Sequence, residues 1–133
     1  MVKGSIKIKG MEKVQAKLNR VAKACPKEAS KAINQSLMAV HSKVKNNISN
    51  KLLNVDTGTL RRSFNIEHSQ LTKLTGKVGT KLVYAAIHEF GGRAGRARSV
   101  KLRARRYFSK SIDQSMKKIH GFFDKAIRRV VKA

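Results

Sequence analysis

Carboxylates are scarce in this chain. Seven Asp and Glu stand against 31 Lys and Arg, for a formal net charge of +24. Each acid therefore invites a chemical reading. Asp56, Glu67 and Glu89 are the three that could meet in space and hold Mg²⁺ as a nuclease does. Simpler roles compete. Asp56 or Thr57 can accept a hydrogen bond from a free N–H two or three residues on, capping a short helical turn through Leu60. Glu67 falls on the solvent side of an alternating run. Glu89 falls in an apolar corner and needs a partner there, for which an Arg is expected. The histidines at 41, 68, 88 and 120 are scattered, with no Cys or second His at ligand spacing, which argues against zinc. No nucleophile elbow, phosphate-cradling Gly loop or Cys–His pairing occurs. The residues predict no catalytic group, no metal and no cofactor, hence a non-enzyme.

The densest chemistry is cationic. Arg93, Arg96, Arg98, Lys101, Arg103, Arg105 and Arg106 lie in a stretch without an acid, with Gly91, Gly92 and Gly95. The planar fork of Arg gives paired hydrogen bonds to phosphates and carboxylates. Two partners fit such an arm equally well, a neighbouring protein surface or DNA. Tyr107 and Phe108 flank the arm, and their rings could stack on bases. Phe108 fits the apolar face of the following helix too well for that, so core is favoured.

These groups must be carried by a small body. A chain of 133 residues with 41% hydrophobic residues is enough for one domain with a real core. A +24 charge repels itself and calls for an acidic partner such as nucleic acid, a protein surface or an anionic membrane. The single Cys25 excludes an intrachain disulfide and sits among apolar helical positions, where a small buried hydrophobe is expected. The N-terminus has no continuous apolar run, and no run of about 18 apolar residues exists to span a membrane. A reducing cytoplasm is the expected place of synthesis.

Residues 5–9 alternate Ile and Lys as a short edge strand, ended by Gly10. Met11, Val14, Leu18, Val21 and Cys25 predict a helix over about 11–25. Pro26 either opens a new helix or kinks a continuous one. Ala29, Ile33, Leu37, Val40, Val44, Ile48 and Leu52 continue the apolar stripe. Residues 64–69 and 75–80 predict an antiparallel hairpin with a turn at 70–74. Leu82, Val83, Ala86, Ile87 and Phe90 predict a short, well-buried helix that Gly91 and Gly92 end. Residues 91–106 lose periodicity and read as a mobile basic loop. A last helix from Phe108 carries Ile112, Met116, Ile119, Phe123, Ile127 and Val130 or Val131 on one face, with Ser109 or Ser111 to cap its start. The fold class is α+β, a small antiparallel sheet packed on a long N-terminal helical segment and a C-terminal helix, in one domain over 1–133.

The run Val55-Asp56-Thr57-Gly58-Thr59-Leu60-Arg61-Arg62-Ser63, then Val78-Gly79-Thr80, then Tyr84-Ala85-Ala86-Ile87-His88-Glu89-Phe90-Gly91, resembles the tail-completion, or head–tail joining, proteins of long-tailed bacteriophages. Element order matches across essentially the whole chain. One departure stands out. The family enters its last helix through a Pro-Ala-Arg-Pro-Phe-Leu segment, where this chain has Arg103-Ala104-Arg105-Arg106-Tyr107-Phe108. Arg105 matches the family Arg, and both prolines are absent. The resemblance implies a virion subunit, assembled in the bacterial host cytoplasm into a ring, commonly a hexamer, between the connector stack and the tail tube. The implied partners are copies of itself, connector or head-completion and tail-tube proteins, and DNA in the channel, with no membrane. It implies structural roles for Asp56, Thr57, Gly58, Leu60, Ser63, Tyr84, Glu89, Phe90 and Gly91. The competing reading is a basic nucleic-acid-binding protein without enzymatic activity.

Overall fold

A computed structural model describes residues 9–49 and 58–132. Its elements run α1 (Met11–Ile48), α2 (Thr59–Ser63), β1 (Asn65–Glu67), β2 (Lys77–Gly79), α3 (Val83–Phe90), β3 (Gly92–Ala94), a 3-10 turn (Arg96–Arg98), β4 (Val100–Leu102) and α4 (Tyr107–Lys132). The architecture is α+β, as the residue pattern predicts. The expected strand at 5–9 and the capping pair Asp56 and Thr57 lie outside the described residues, except Lys9, which stands in a turn.

α1 is one helix of 38 residues with Pro26 inside it. Proline removes one i→i−4 hydrogen bond and crowds the carbonyl four residues back, but it does not end the helix here. Packing against α4 maintains the helix through that point. The two helices run antiparallel. Asn47 near the end of α1 donates to Ser111 Oγ (2.7 Å) and Gln114 Oε1 (3.1 Å) at the start of α4. Arg129 near the end of α4 lies 3.4 Å from Glu28.

β1 pairs antiparallel with β2 in the register Asn65↔Gly79, Ile66↔Val78 and Glu67↔Lys77. Its turn is tied to α1 by side chains. Asn34 accepts from the Ser69 N–H (2.7 Å) and donates to the Ser69 carbonyl (3.2 Å), and Ser30 donates to that same carbonyl. Both backbone groups of a turn residue are thus satisfied by one amide, which fixes how the hairpin lies on the helix.

The core gathers where the second half of α1 meets the start of α4. Val40, Val44, Ile48, Leu60, Phe64, Ala85 and Tyr107 are buried together, with Val78, Leu82, Phe108, Ile112 and Ile119 packed around them. Phe108 stacks on Phe64 with centroids 5.9 Å apart, and Tyr107 meets Phe64 edge-on at 6.1 Å. Phe108 is therefore core, as its position on the helix predicts.

Three burial expectations are corrected. Cys25 is exposed. It stands with Met11, Val14 and Leu18 on the first half of α1, all exposed, where none of the described residues forms a layer over the stripe. On α4 the fully buried positions are Tyr107, Ser111, Ser115 and Ala126, largely small residues that allow close approach to α1. Of the larger stripe predicted from periodicity, Phe108, Ile112, Ile119 and Val130 are only half-buried, and Met116, Phe123, Ile127 and Val131 are exposed. α3 is a helix as predicted but not well buried. Ala85 and Glu89 face inward, while Val83 and Phe90 are 85% and 78% exposed. Eight residues make barely two turns, so one face meets the core and the rest cannot.

Candidate functional site

The arginine-rich segment is not structureless. It rises from the end of α3 as a hairpin, β3 against β4, with Gly92↔Leu102, Arg93↔Lys101 and Ala94↔Val100 paired. The pattern fails to announce it because its strands have three residues each, Gly-Arg-Ala and Val-Lys-Leu, too few to show alternation. At the tip Ala97 and Arg98 take positive φ (56° and 53°), an uncommon conformation for residues with a Cβ. All seven cations, Arg93, Arg96, Arg98, Lys101, Arg103, Arg105 and Arg106, are exposed.

Arg93 and Lys101 stand directly opposite each other. Like charges in that position destabilise a two-stranded ribbon. Such a local conflict is characteristic of a surface that meets something anionic, which would relieve it.

The root of the hairpin is rigidly built. Gly91 leaves α3 with φ 76°, and its N–H donates to the Ile87 carbonyl at 2.7 Å. A Cβ there would lie 2.8 Å from the Ala104 nitrogen and 3.0 Å from the Leu102 carbonyl oxygen, so only glycine fits. On the returning strand, Arg105 N–H donates to the His88 carbonyl (2.8 Å) and Arg106 N–H to the Glu89 carbonyl (3.1 Å). The Arg that matches the family motif thus contributes its backbone to the root, while its side chain stays exposed.

Glu89 is the centre of this root. It is 5% exposed, and its partner is not an Arg. One carboxylate oxygen accepts from the Phe108 N–H (2.8 Å), the other from the Ser109 N–H (3.0 Å) and the Ser109 hydroxyl. The first turn of any helix leaves N–H groups without intrahelical partners and carries the positive end of the helix dipole. A carboxylate from a separate helix satisfies both needs, so Glu89 caps α4 from nineteen residues away. Ser109 shares in this latch rather than capping alone, and Ser111 instead donates to the Tyr107 carbonyl (2.6 Å).

Beside the latch, the Tyr107 hydroxyl donates to the Ala85 carbonyl (3.1 Å). Burial, then the negative charge of Glu89, then Tyr84, push its pKa from 10.0 up to about 12. Tyr107 is thus a buried strut between α3 and α4 and is not placed to stack on bases. Sequence patterning left it at the edge of the arm. No local signal marks Tyr107 or Ser109 as partners of α3, because the pairing is made in space.

The other motif residues tie α2 to the same corner. Leu60 is core, and Gly58 takes φ 74° ahead of α2. A directional chain of hydrogen bonds follows. Leu82 N–H donates to Thr80 Oγ1 (3.2 Å), the Thr80 hydroxyl to Ser63 Oγ (2.6 Å), and the Ser63 hydroxyl to the Leu60 carbonyl (2.7 Å). Tyr84 is exposed and meets His88 edge-on at 6.1 Å. Phe90 borders a shallow apolar groove of about 290 Å³ with Leu82, Ala86, Val78 and Phe108. None of its eleven lining residues is Lys or Arg, in a chain where almost every fourth residue is one.

Glu67 and Glu89, the two of these acids among the described residues, do not come together as a metal centre. Glu67 is exposed on β1, both oxygens of Glu89 are occupied by α4, and Asp56 lies outside the described residues. Among the described residues no three His, Cys, Asp or Glu side chains come together as a metal site. Among them, too, no helix is long and apolar enough to cross a membrane.

Comparison with known proteins bears on this geometry. Residues 12–91 match the profile of a family described as "Bacteriophage HK97-gp10, putative tail-component". The match ends at Gly91, the root of the hairpin, so the arm and α4 lie beyond it. A relative, "Mu-like prophage FluMu G protein 2" of Haemophilus influenzae, is 47% identical over 51 residues, 38% of this chain and 35% of the relative. The alignment thus covers about a third of that protein's length. No solved structure matches the chain.

Proposed function

Because the chain belongs to the HK97-gp10-like family of bacteriophage tail components, we propose that it is a structural subunit of the virion neck or tail terminus, forming a ring that joins the connector to the tail tube. It works without catalysis. Copies of the chain close head-to-tail into the ring, a hexamer as the family resemblance implies, since a heterologous interface that closes generates a cyclic assembly. Assembly takes place in the host cytoplasm before the ring enters the virion. The basic hairpin reaches out from that ring to an acidic surface of the connector or tail-tube protein.

The observation that carries this reading is the latch at the hairpin root. Glu89, Gly91 and the α4 N-terminus hold an exposed cationic ribbon in a fixed direction, as joining two preformed assemblies requires. The apolar groove beside it, free of cations, is where a second copy of so basic a chain can approach. Genetic loss provides the test. Particles lacking this protein are expected to accumulate as separate filled heads and tails in electron micrographs, and adding back the purified chain is expected to join them. Normally joined particles would end the proposal.

A second reading is favoured by the like-charged pair Arg93 and Lys101, which DNA phosphates would relieve as well as a protein would. In that reading the chain binds nucleic acid through the arm. Binding would then weaken steeply with salt as counterions are released. It would be lost when the arm arginines become serine, whereas absence of binding at low salt removes this reading.

A further inference from the structure

The end of the molecule opposite the hairpin root has no assigned role. There the first half of α1 and the second half of α4 run together beyond the core. Each helix leaves an apolar stripe uncovered. Leu18 is 62% exposed, Ile127 60% and Val131 64%, with Met11, Val14 and Phe123 also in solvent. The stripes recur at helical spacing, and none of the described residues covers them.

We propose that this free end of the α1–α4 pair docks an acidic amphipathic helix of a partner protein. Spacing and charge both point there. Met11, Val14 and Leu18 fall at i, i+3 and i+7, and Phe123, Ile127 and Val131 at i, i+4 and i+8, spacings that match the anchors of a helix laid alongside, which would add a third helix to the pair. The rim is cationic. Residues 11–29 hold five Lys and Arg with two Glu, and residues 116–132 hold six with one Asp. One of those Glu, Glu28, already faces Arg129 at 3.4 Å. Lys13, Lys17, Arg20 and Lys132 line, together with Ala16 and Val131, a cleft of about 530 Å³ between the ends of the two helices.

A second copy presenting this same face is a poor occupant, because it would bring the same cations against these. The chain's own N-terminal residues 1–8 hold Lys3 and Lys7 and no acid, so they supply no complementary charge either. A partner helix with Glu or Asp on its flanks satisfies both the apolar stripes and the rim. This inference is independent of the ring, and its failure leaves that reading intact.

The test uses the whole chain and two synthetic peptides of about 20 residues, about 30 Å long when helical. One carries Leu at helical spacing and Glu elsewhere. The other is its scramble, equal in composition and charge but without a stripe. Fluorescence anisotropy is expected to show the amphipathic peptide binding at least about tenfold tighter than the scramble, a difference of about 1.4 kcal/mol. Circular dichroism is expected to show it gaining helix on binding. A Leu18→Ser, Ile127→Ser double variant alters only exposed side chains, so its helix content should be unchanged. It is expected to lose that tenfold margin while still binding the scramble. Equal binding of both peptides would overturn the proposal in favour of plain charge attraction, and so would a double variant that keeps the margin. Capture by phosphatidylglycerol vesicles that depends on Leu18 and Ile127, without a preference between peptides, would assign the surface to membrane instead. Self-association lost in the double variant, again without that preference, would assign it to a second copy.

Discussion

Glu89 ties α3 to α4 through both its side chain and its backbone. Its carboxylate caps α4, its carbonyl receives Arg106, and its charge adds to burial in raising the Tyr107 pKa. Glu89→Gln keeps the shape but turns an amide N–H₂ toward N–H donors and removes the charge at the helix N-terminus. A loss of about 1–2 kcal/mol is expected, read as a lower urea midpoint. Tyr107 gives a pH signature. Its folded pKa lies above its unfolded one, so its contribution is complete below pH 10 and disappears as pH rises through about 12. Tyr107→Phe cannot ionise. Below pH 10 the variant is expected to be less stable by about 1 kcal/mol, the net worth of the hydrogen bond to Ala85. Between pH 10 and about 12 the gap should close and then reverse, as wild type alone must bury a phenol that prefers to ionise. Urea titrations of both proteins across that range check it. A gap constant with pH would mean that Tyr107 ionises as freely folded as unfolded.

At the scale of elements, periodicity located the helices and the first hairpin well. Ile33, Leu37, Val40, Val44 and Ile48 drew α1, and Phe64 and Ile66 drew β1, because one face of each meets the core. It misplaced burial where none of the described residues covers the stripe, as at Leu18, Cys25 and Ile127. A sequence records which face is apolar and not whether anything covers it. It also missed β3 and β4, whose pairing is set by the latch at Glu89 and the clearance at Gly91 rather than by their own side chains. The arm residues were found by charge alone, and the residues that aim them, Tyr107 and Ser109, only in space. That division makes a prediction. Replacing Arg93, Arg96 and Arg98 by Ser removes like-charge repulsion across the ribbon and leaves its root untouched. Thermal stability is expected to be unchanged or to rise slightly, by a few tenths of a kcal/mol. Binding to an acidic partner, whether purified tail-tube protein or DNA, is expected to fall, with a shallower dependence on salt. A large loss of stability would show that these arginines hold the fold together rather than serve a partner.

For the whole molecule, charge and apolar surface pull in opposite directions. A net +24 is spread over the helices and the arm, and repels any second copy. The α3 face is the exception, since its groove lacks cations and is flanked by Val83 and Phe90, both largely in solvent. If ring closure uses that face, salt should act on the two kinds of contact with opposite sign. Contacts made by the arm are attractions between unlike charges and weaken as salt rises. Contacts between copies are apolar attraction opposed by like-charge repulsion over about 10 Å, so salt should strengthen them. Sedimentation velocity from about 50 mM to about 200 mM salt is expected to show self-association growing while DNA or acidic-partner binding declines. A Val83→Ser, Phe90→Ser variant should remain monomeric throughout with its arm contacts intact. Self-association that weakens with salt, or survives in that variant, would place the contact between copies on the charged surfaces instead and leave the α3 face without a role in the ring.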